Sequence, residues 1–179
     1  KRQLDLQQMR RQERNRLHAL KARPHVPEGV LNSVQFILET LDTELTRIEQ
    51  EIKTFFKNHP VWKKELNLLR QVPGIGPKNA PFILVLLHRW QTLTDGQGTA
   101  KQLTAYVGLD PQHFNSGSSV YKRPSISHMG NGTARNLLFM GALGGIRGHN
   151  PLQNFYKRLV GRGKPKKVAL VAGARKILV

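Results

Sequence analysis

Residues 115–125 read NSGSSVYKRPS. Three hydroxyls, Ser116, Ser118 and Ser119, precede two cations, Lys122 and Arg123, with Gly117 among them. A serine hydroxyl is a weak nucleophile until a neighbour takes its proton or stabilises the charge that develops on its target. Lys122 and Arg123 could hold a phosphate beside it, and Gly117 lets backbone come close to a ligand. On residue types alone the plain loop is the favoured reading, since Ser and Gly are common loop formers. A Ser-His-Asp arrangement is available in principle: His113 and His128 flank the segment and Asp110 precedes it. No local signature accompanies them, and each reads first as a surface or turn residue.

Metal chemistry is harder to build. The seven histidines are scattered and none forms an i, i+4 pair. A two-metal nuclease needs converging acids, and Asp110 is the last acidic residue of the chain. From residue 111 to 179 there are twelve Lys or Arg and no carboxylate, within a total of 29 basic and 11 acidic residues and a net charge of +18. Solvated faces mix signs. An unmixed block that also contains the apolar runs 137–140 and 168–171 predicts a folded surface for nucleic acid and argues against a disordered basic tail. The absence of cysteine excludes disulfides, thiolate zinc sites and cysteine nucleophiles, and fits a reducing, cytoplasmic setting. No stretch has the apolar length to span a bilayer, so no membrane partner is expected. The opening KRQLDLQQMRRQERNRL is too polar for a signal peptide, and a first residue Lys reads as the start of an excised fragment.

The elements that would position these residues are helical. Residues 3–22 form a basic helix with Arg10, Arg11 and Arg14 on neighbouring turns. KARPHVPEG breaks it with Pro24, Pro27 and Gly29. Leu31, Val34, Leu38, Leu41, Leu45, Ile48, Ile52 and Phe55 then recur at spacings of 3 and 4, an a/d heptad seam. The rod is about 37 Å long. Its narrow seam asks for a partner: the first helix folded back, or a second copy of the chain, with a hairpin that also dimerises as the favoured arrangement. HPVW at 59–62 ends the rod.

LNLLRQVPGIGPKNAPFILVLL, residues 66–87, runs an apolar helix into Pro-Gly-Ile-Gly and opens a second with Pro77 in its first turn. This is the pattern of a helix-hairpin-helix. Gly74 and Gly76 would permit a tight turn close to a phosphate, free N–H groups at the helix start would bind it, and Lys78 would add charge. The competing reading is an αα-hairpin that touches no ligand. A short helix at 99–107 ends at Gly108 as a C-terminal cap. Residues 133–148 form a helix with Gly141, Gly144, Gly145 and Gly148 on one side, for close approach of a neighbouring helix or of nucleic acid. Residues 151–159 and 168–178 form two more, joined by the basic turn GRGKPKK with Lys164, Lys166 and Lys167. Strand signals are weak. The expected fold is all-α: a coiled-coil helical hairpin over 1–62, then a helical domain over 63–179 that contains the helix-hairpin-helix.

The runs LRQVPGIGPKNA, QLTAYVGLDPQHFNSGSSVYKRPSIS, GNGTARNLLFMGAL and NPLQNFYKRLVGRGKPKKVALVAGARKIL, in that order over residues 66–178, resemble the C-terminal half of insertion-sequence transposases of the one-ten family. These are DEDD recombinases related to Piv-type DNA invertases. RRQERNRL and the rod resemble the linker helices upstream of that half. The resemblance implies a transposase domain whose nucleophile is the first serine of SGSSV, Ser116 here. It implies a RuvC-like domain with four acids for a divalent metal, magnesium by expectation. That domain has no counterpart in this sequence, so no metal ligand is carried over and this fragment alone is expected to be inactive. DNA, a structured guide (bridge) RNA, a homodimer through the coiled coil and a tetramer in the full complex are the implied partners. The implied setting is prokaryotic and nucleoid-associated.

Residue chemistry and resemblance then converge on one mechanism. A serine hydroxyl attacks a DNA phosphodiester to form a phosphoserine link, while Lys122, Arg123, Lys164, Lys166 and Lys167 position phosphates and Ser118 and Ser119 add hydrogen bonds. Sequence choice comes largely from pairing with the guide RNA. The alternatives are a non-catalytic helix-hairpin-helix protein that binds nucleic acid and a structural RNA-binding protein.

Overall fold

The heptad seam of the long helix is filled from within the chain. In the computed structural model, which describes residues 1–112, 115–116, 120–121, 125–127 and 129–179 (backbone alone at 115–116 and 120–121), two units are defined: Lys1–Lys63 and Lys64–Val179. The first holds α1 (Arg2–Lys21), α2 (Glu28–Asn58) and the start of α3 (Pro60–Leu69). Gln3 Nε2 donates to Glu49 Oε1 at 3.4 Å and Arg10 Nη1 to Asp42 Oδ1 at 2.7 Å. Partners on α2 therefore descend as α1 advances, and the pair is an antiparallel hairpin. Leu6, 2% exposed, sits among Leu41, Leu45 and Ile48. On the outer face Arg47 bonds both Glu44 and Glu51, and its hydrogen bond holds the exposed Glu44 carboxyl below the usual carboxylate range.

One seam position differs from expectation. Phe56 is buried where Phe55 was expected, and Phe55 is 44% exposed. A straight α-helix repeats every 3.6 residues, not 3.5, so its buried stripe slides forward by about 0.6 of a residue over three heptads, enough to favour the next position. The Phe55 ring instead stacks on His59 with centroids 4.2 Å apart and meets the edges of Phe56 and Trp62.

The second unit contains the remainder of α3, then α4 (Ala80–Leu93), α5 (Ala100–Val107), α6 (Gly132–Gly145), α7 (Pro151–Gly161) and α8 (Lys166–Leu178). The all-α expectation holds. Strand among the described residues is limited to β1 (Pro111–Gln112), β2 (Asn115–Ser116), β3 (Val120–Tyr121) and β4 (Ser125–Ile126). β1 pairs antiparallel with β4, and β2 with β3. Side chains from α3, α4, α5, α6 and α8 build the main cluster, with Ile83, Val107, Leu138, Ala142 and Ala174 among its fully buried members, and Leu152 of α7 is buried beside Gly145 and Gly173. Small residues let α6 and α8 lie close: a Cβ added to Gly173 would sit 3.5 Å from Ala142 Cβ. Among the described residues no helix is long and apolar enough to cross a membrane.

The hairpin of the first unit stands on few large side chains. Leu45→Ala, at a position 4% exposed against Leu6, is expected to cost about 2–4 kcal/mol. The check is chemical denaturation of the 179-residue chain followed by helical circular dichroism, where the loss should appear as a lower denaturation midpoint for part of the helical signal.

Candidate nucleic-acid interface

The Pro-Gly-Ile-Gly segment is a turn held by its own backbone. Ile75 N–H donates to Val72 O at 2.9 Å, and the N–H groups of Asn79 and Ala80 both donate to Gly76 O, at 3.3 and 3.0 Å. α4 accordingly begins at Ala80, three residues later than Pro77, because residues 77–79 form a separate turn with Asn79 as N-cap. The N–H groups of Gly76 and Lys78 find no acceptor among the described residues. They are donors of the kind that bind anions at helix starts.

The two turn glycines have different reasons to be glycine. Gly74 has φ +97°, and a Cβ there would lie 2.5 Å from Gly141 O. A Cβ on Gly141 would in turn lie 2.6 Å from Gly74 O, and one on Gly145 3.1 Å from Gly74 N. Asn79 Nδ2 locks the turn by donating to Gly74 O at 3.0 Å, while its buried Oδ1 has no partner among the described residues. Backbone approaching backbone thus requires glycine at 74 and 141, while at 145 a Cβ would meet Leu152 Cδ2 at 2.8 Å before the Gly74 backbone. Gly76 and Gly144 are free of that constraint: a Cβ on the first meets only Asn79 Oδ1 at 3.9 Å, and on the second nothing within 4 Å.

Between this turn and α6 lies an open groove of about 650 Å³, mostly apolar in lining, bounded by Arg70, Lys78, Leu137, Met140 and Gly144. Arg70 and Lys78 are exposed. Neither makes an ion pair among the described residues. Gly74, Gly76 and Lys78 therefore come together at one groove as expected of neighbours in sequence. Arg70, Leu137 and Met140 were not legible as groove residues, because an arginine ending an apolar helix and two apolar side chains on another carry no motif.

The serine segment hangs from a pinned base. α5 ends at Gly108, φ +76°, with Leu109 N–H donating back to Thr104 O at 2.9 Å. Arg135 Nη1 donates to Val107 O at 3.0 Å, tying α6 to the end of α5. Ser127 closes the segment on Asp110, Oγ to Oδ1 at 2.5 Å and N–H to the backbone O at 3.0 Å. Asp110 thus serves as an anchor within a turn. Ser116 lies in β2, opposite Val120 of β3. Ser118, Ser119, Lys122 and Arg123 lie outside the described residues, as do His113 and His128.

Lys164, Lys166 and Lys167 are exposed at the junction of α7 and α8. Gly163, φ +80°, closes α7, with Lys164 N–H returning to Leu159 O at 3.1 Å. α8 starts after Pro165 with no side-chain cap and no acid in its first turn. Cations at the positive end of a helix dipole repel it, so this corner carries uncompensated positive charge. No group of three or more histidine or acidic side chains comes together among the described residues to hold a metal ion.

The second unit is a basic, mainly helical domain with a glycine turn and a serine-bearing β-ladder. Residues 66–157 match the transposase IS116/IS110/IS902 family, and the chain belongs to that family. It is 36% identical over 137 residues to the pilin gene-inverting proteins of Moraxella lacunata and Moraxella bovis, covering 75% of this chain and 41% of theirs. It is also 27% identical over 148 residues to the insertion element IS110 uncharacterized 43.6 kDa protein of Streptomyces coelicolor, covering 82% of this chain and 34% of that protein. The chain thus spans about two fifths of the Moraxella proteins' length.

The two turn glycines should respond differently to alanine. Gly74→Ala combines a positive φ with a 2.5 Å approach to backbone and should cost at least about 2 kcal/mol. Gly76→Ala should change stability by less than about 0.5 kcal/mol. Thermal unfolding of the two variants, compared directly, measures the difference.

Proposed function

We propose that this chain is the nucleic-acid-binding and nucleophile-bearing part of a DNA recombinase of the transposase and invertase type. The carrying observation is charge: the second unit has no carboxylate after Asp110 and twelve cations beyond it, on a folded scaffold that exposes Lys78 at one corner and Lys164, Lys166 and Lys167 at another. Such a surface attracts a polyanion and positions its phosphates without reading bases. The name of the Moraxella relatives, proteins that invert a pilin gene, supports DNA as the polyanion on which the full protein acts.

In this reading Ser116 Oγ attacks a DNA phosphorus. The Oγ proton passes to a base, the new Oγ–P bond forms, and the bond from phosphorus to a deoxyribose oxygen breaks. The freed oxygen takes up a proton, and the phosphoserine ester keeps the bond energy for rejoining. Lys122 and Arg123 follow the serines closely in sequence and would hold the phosphate, with Ser118 and Ser119 as further hydrogen-bond donors. The Asp110–Ser127 clamp supplies a fixed base for the segment. Any divalent metal belongs to a RuvC-like domain outside this sequence, so the 179-residue chain alone is inactive in cleavage. A guide RNA that supplies sequence choice, and self-association through the helical hairpin into dimers and then tetramers, complete the proposal. Because the heptad seam is occupied by α1, self-association would use the other face of α2, where Phe36 is 70% exposed.

Two experiments test it. In the full-length protein with guide RNA and both DNA partners, Ser116→Ala should abolish a covalent protein–DNA species that Ser118→Ala and Ser119→Ala partly retain. Mass spectrometry of the trapped adduct that maps the link to another serine or to a tyrosine overturns the assignment. In the present chain, replacing Lys164, Lys166 and Lys167 by Ala should lower the salt dependence of DNA binding by roughly two to three phosphate contacts. An unchanged slope in a filter-binding titration moves the binding surface elsewhere.

A further inference from the structure

We infer that the groove between the 73–77 turn and α6 seats the sugar–phosphate backbone of a bound nucleic-acid strand, with Gly144 as the bare stretch of helix against which the strand lies. The inference rests on the nucleic-acid reading above and adds α6 to it as the second wall of the site.

Three glycines of α6 face this region, and packing accounts for two. Gly141 and Gly145 admit the backbone of Gly74. Gly144 admits nothing: no atom lies within 4 Å of where its Cβ would be. Gly144 lies in the last turn of α6, and no contact inside the protein accounts for a glycine there. The same residue lines the groove, beside exposed Met140 and half-buried Leu137. Across the groove stand the unpaired N–H groups of Gly76 and Lys78 and the uncompensated charges of Arg70 and Lys78.

Each wall therefore matches a different part of a nucleotide. N–H donors and cations suit a phosphate. A bare helix flanked by Leu137 and Met140 suits the C–H faces of a sugar, which side chains longer than hydrogen would push away. An acidic peptide would satisfy the cations but would not require a helix stripped of its Cβ over the apolar wall. None of these groups reads base identity, so the groove adds affinity without sequence choice.

Gly144→Leu is the test, measured by fluorescence anisotropy of a labelled single-stranded oligonucleotide and of a duplex at low salt. Open space at this position predicts an unchanged or higher melting temperature, and the leucine should weaken binding by about tenfold, which is 1.4 kcal/mol. Gly144→Ala should raise stability and weaken binding by less. Met140→Glu, at a side chain 54% exposed, places a carboxylate in the groove without touching the core and should weaken binding at least as much, which keeps the test valid should the leucine variant fail to fold. Wild-type affinity in folded Gly144→Leu and Met140→Glu, together with weakened binding in the Lys164, Lys166 and Lys167 variant, overturns the groove and leaves the nucleic-acid reading standing. No binding of either oligonucleotide by the wild-type chain overturns both.

Discussion

The second unit depends on one approach of backbone to backbone. The carbonyl of Gly74 lies where any side chain on Gly141 would have to be, and Gly141 O stands equally close to Gly74. With a Cβ on either residue the turn would have to withdraw from α6. The groove, the entry of α4 and the packing of Ile75 into the core would move with it. Asn79 holds the turn in place by bonding Gly74 O. Protein interiors are close-packed and do not absorb such displacements gradually, so the glycine pair acts as a fixed point about which α4 and α6 are placed.

A second fixed point supports the serine segment. Gly108 and Gly130 both have positive φ, and a Cβ on either would collide with backbone of the opposite strand of chain, at 2.6 Å from Met129 O and 2.4 Å from Tyr106 O. Arg135 reaches across to Val107 O, and Ser127 closes on Asp110. Loop residues are positioned only as well as their supports allow. The last carboxylate before the acid-free stretch, Asp110, accepts the Ser127 hydroxyl within the turn.

Charge imposes a cost on this fold that its packing does not recover. Lys166 and Lys167 begin a helix whose dipole is already positive there, and among the described residues no acid pairs with Arg70, Lys78 or Lys164. In the first unit the signs are mixed and paired, as in the Arg10–Asp42 and Arg47–Glu44 contacts. The contrast separates a helical hairpin that satisfies itself from a domain that presents uncompensated charge to solvent.

The sequence by itself determined the local grammar. Heptad spacing specified α2, Pro24 and Pro27 ended the first helix, Gly108 closed α5 as a left-handed cap, and the loss of acids after Asp110 left the remainder of the chain without a carboxylate side chain. These are effects of residues on their own backbone or on net charge, and they need no partner to be legible. Tertiary structure decided which partner each feature meets. The seam of α2 could be filled by α1 or by a second chain, and only the fold shows Leu6 against Leu41 and Leu45. The seam's end moved from Phe55 to Phe56 because a real helix keeps its 3.6-residue period. Glycines alike in sequence parted company for the same kind of reason. A missing side chain is identical at 74, 76, 141 and 144, and only what lies opposite distinguishes a packing contact from an open wall.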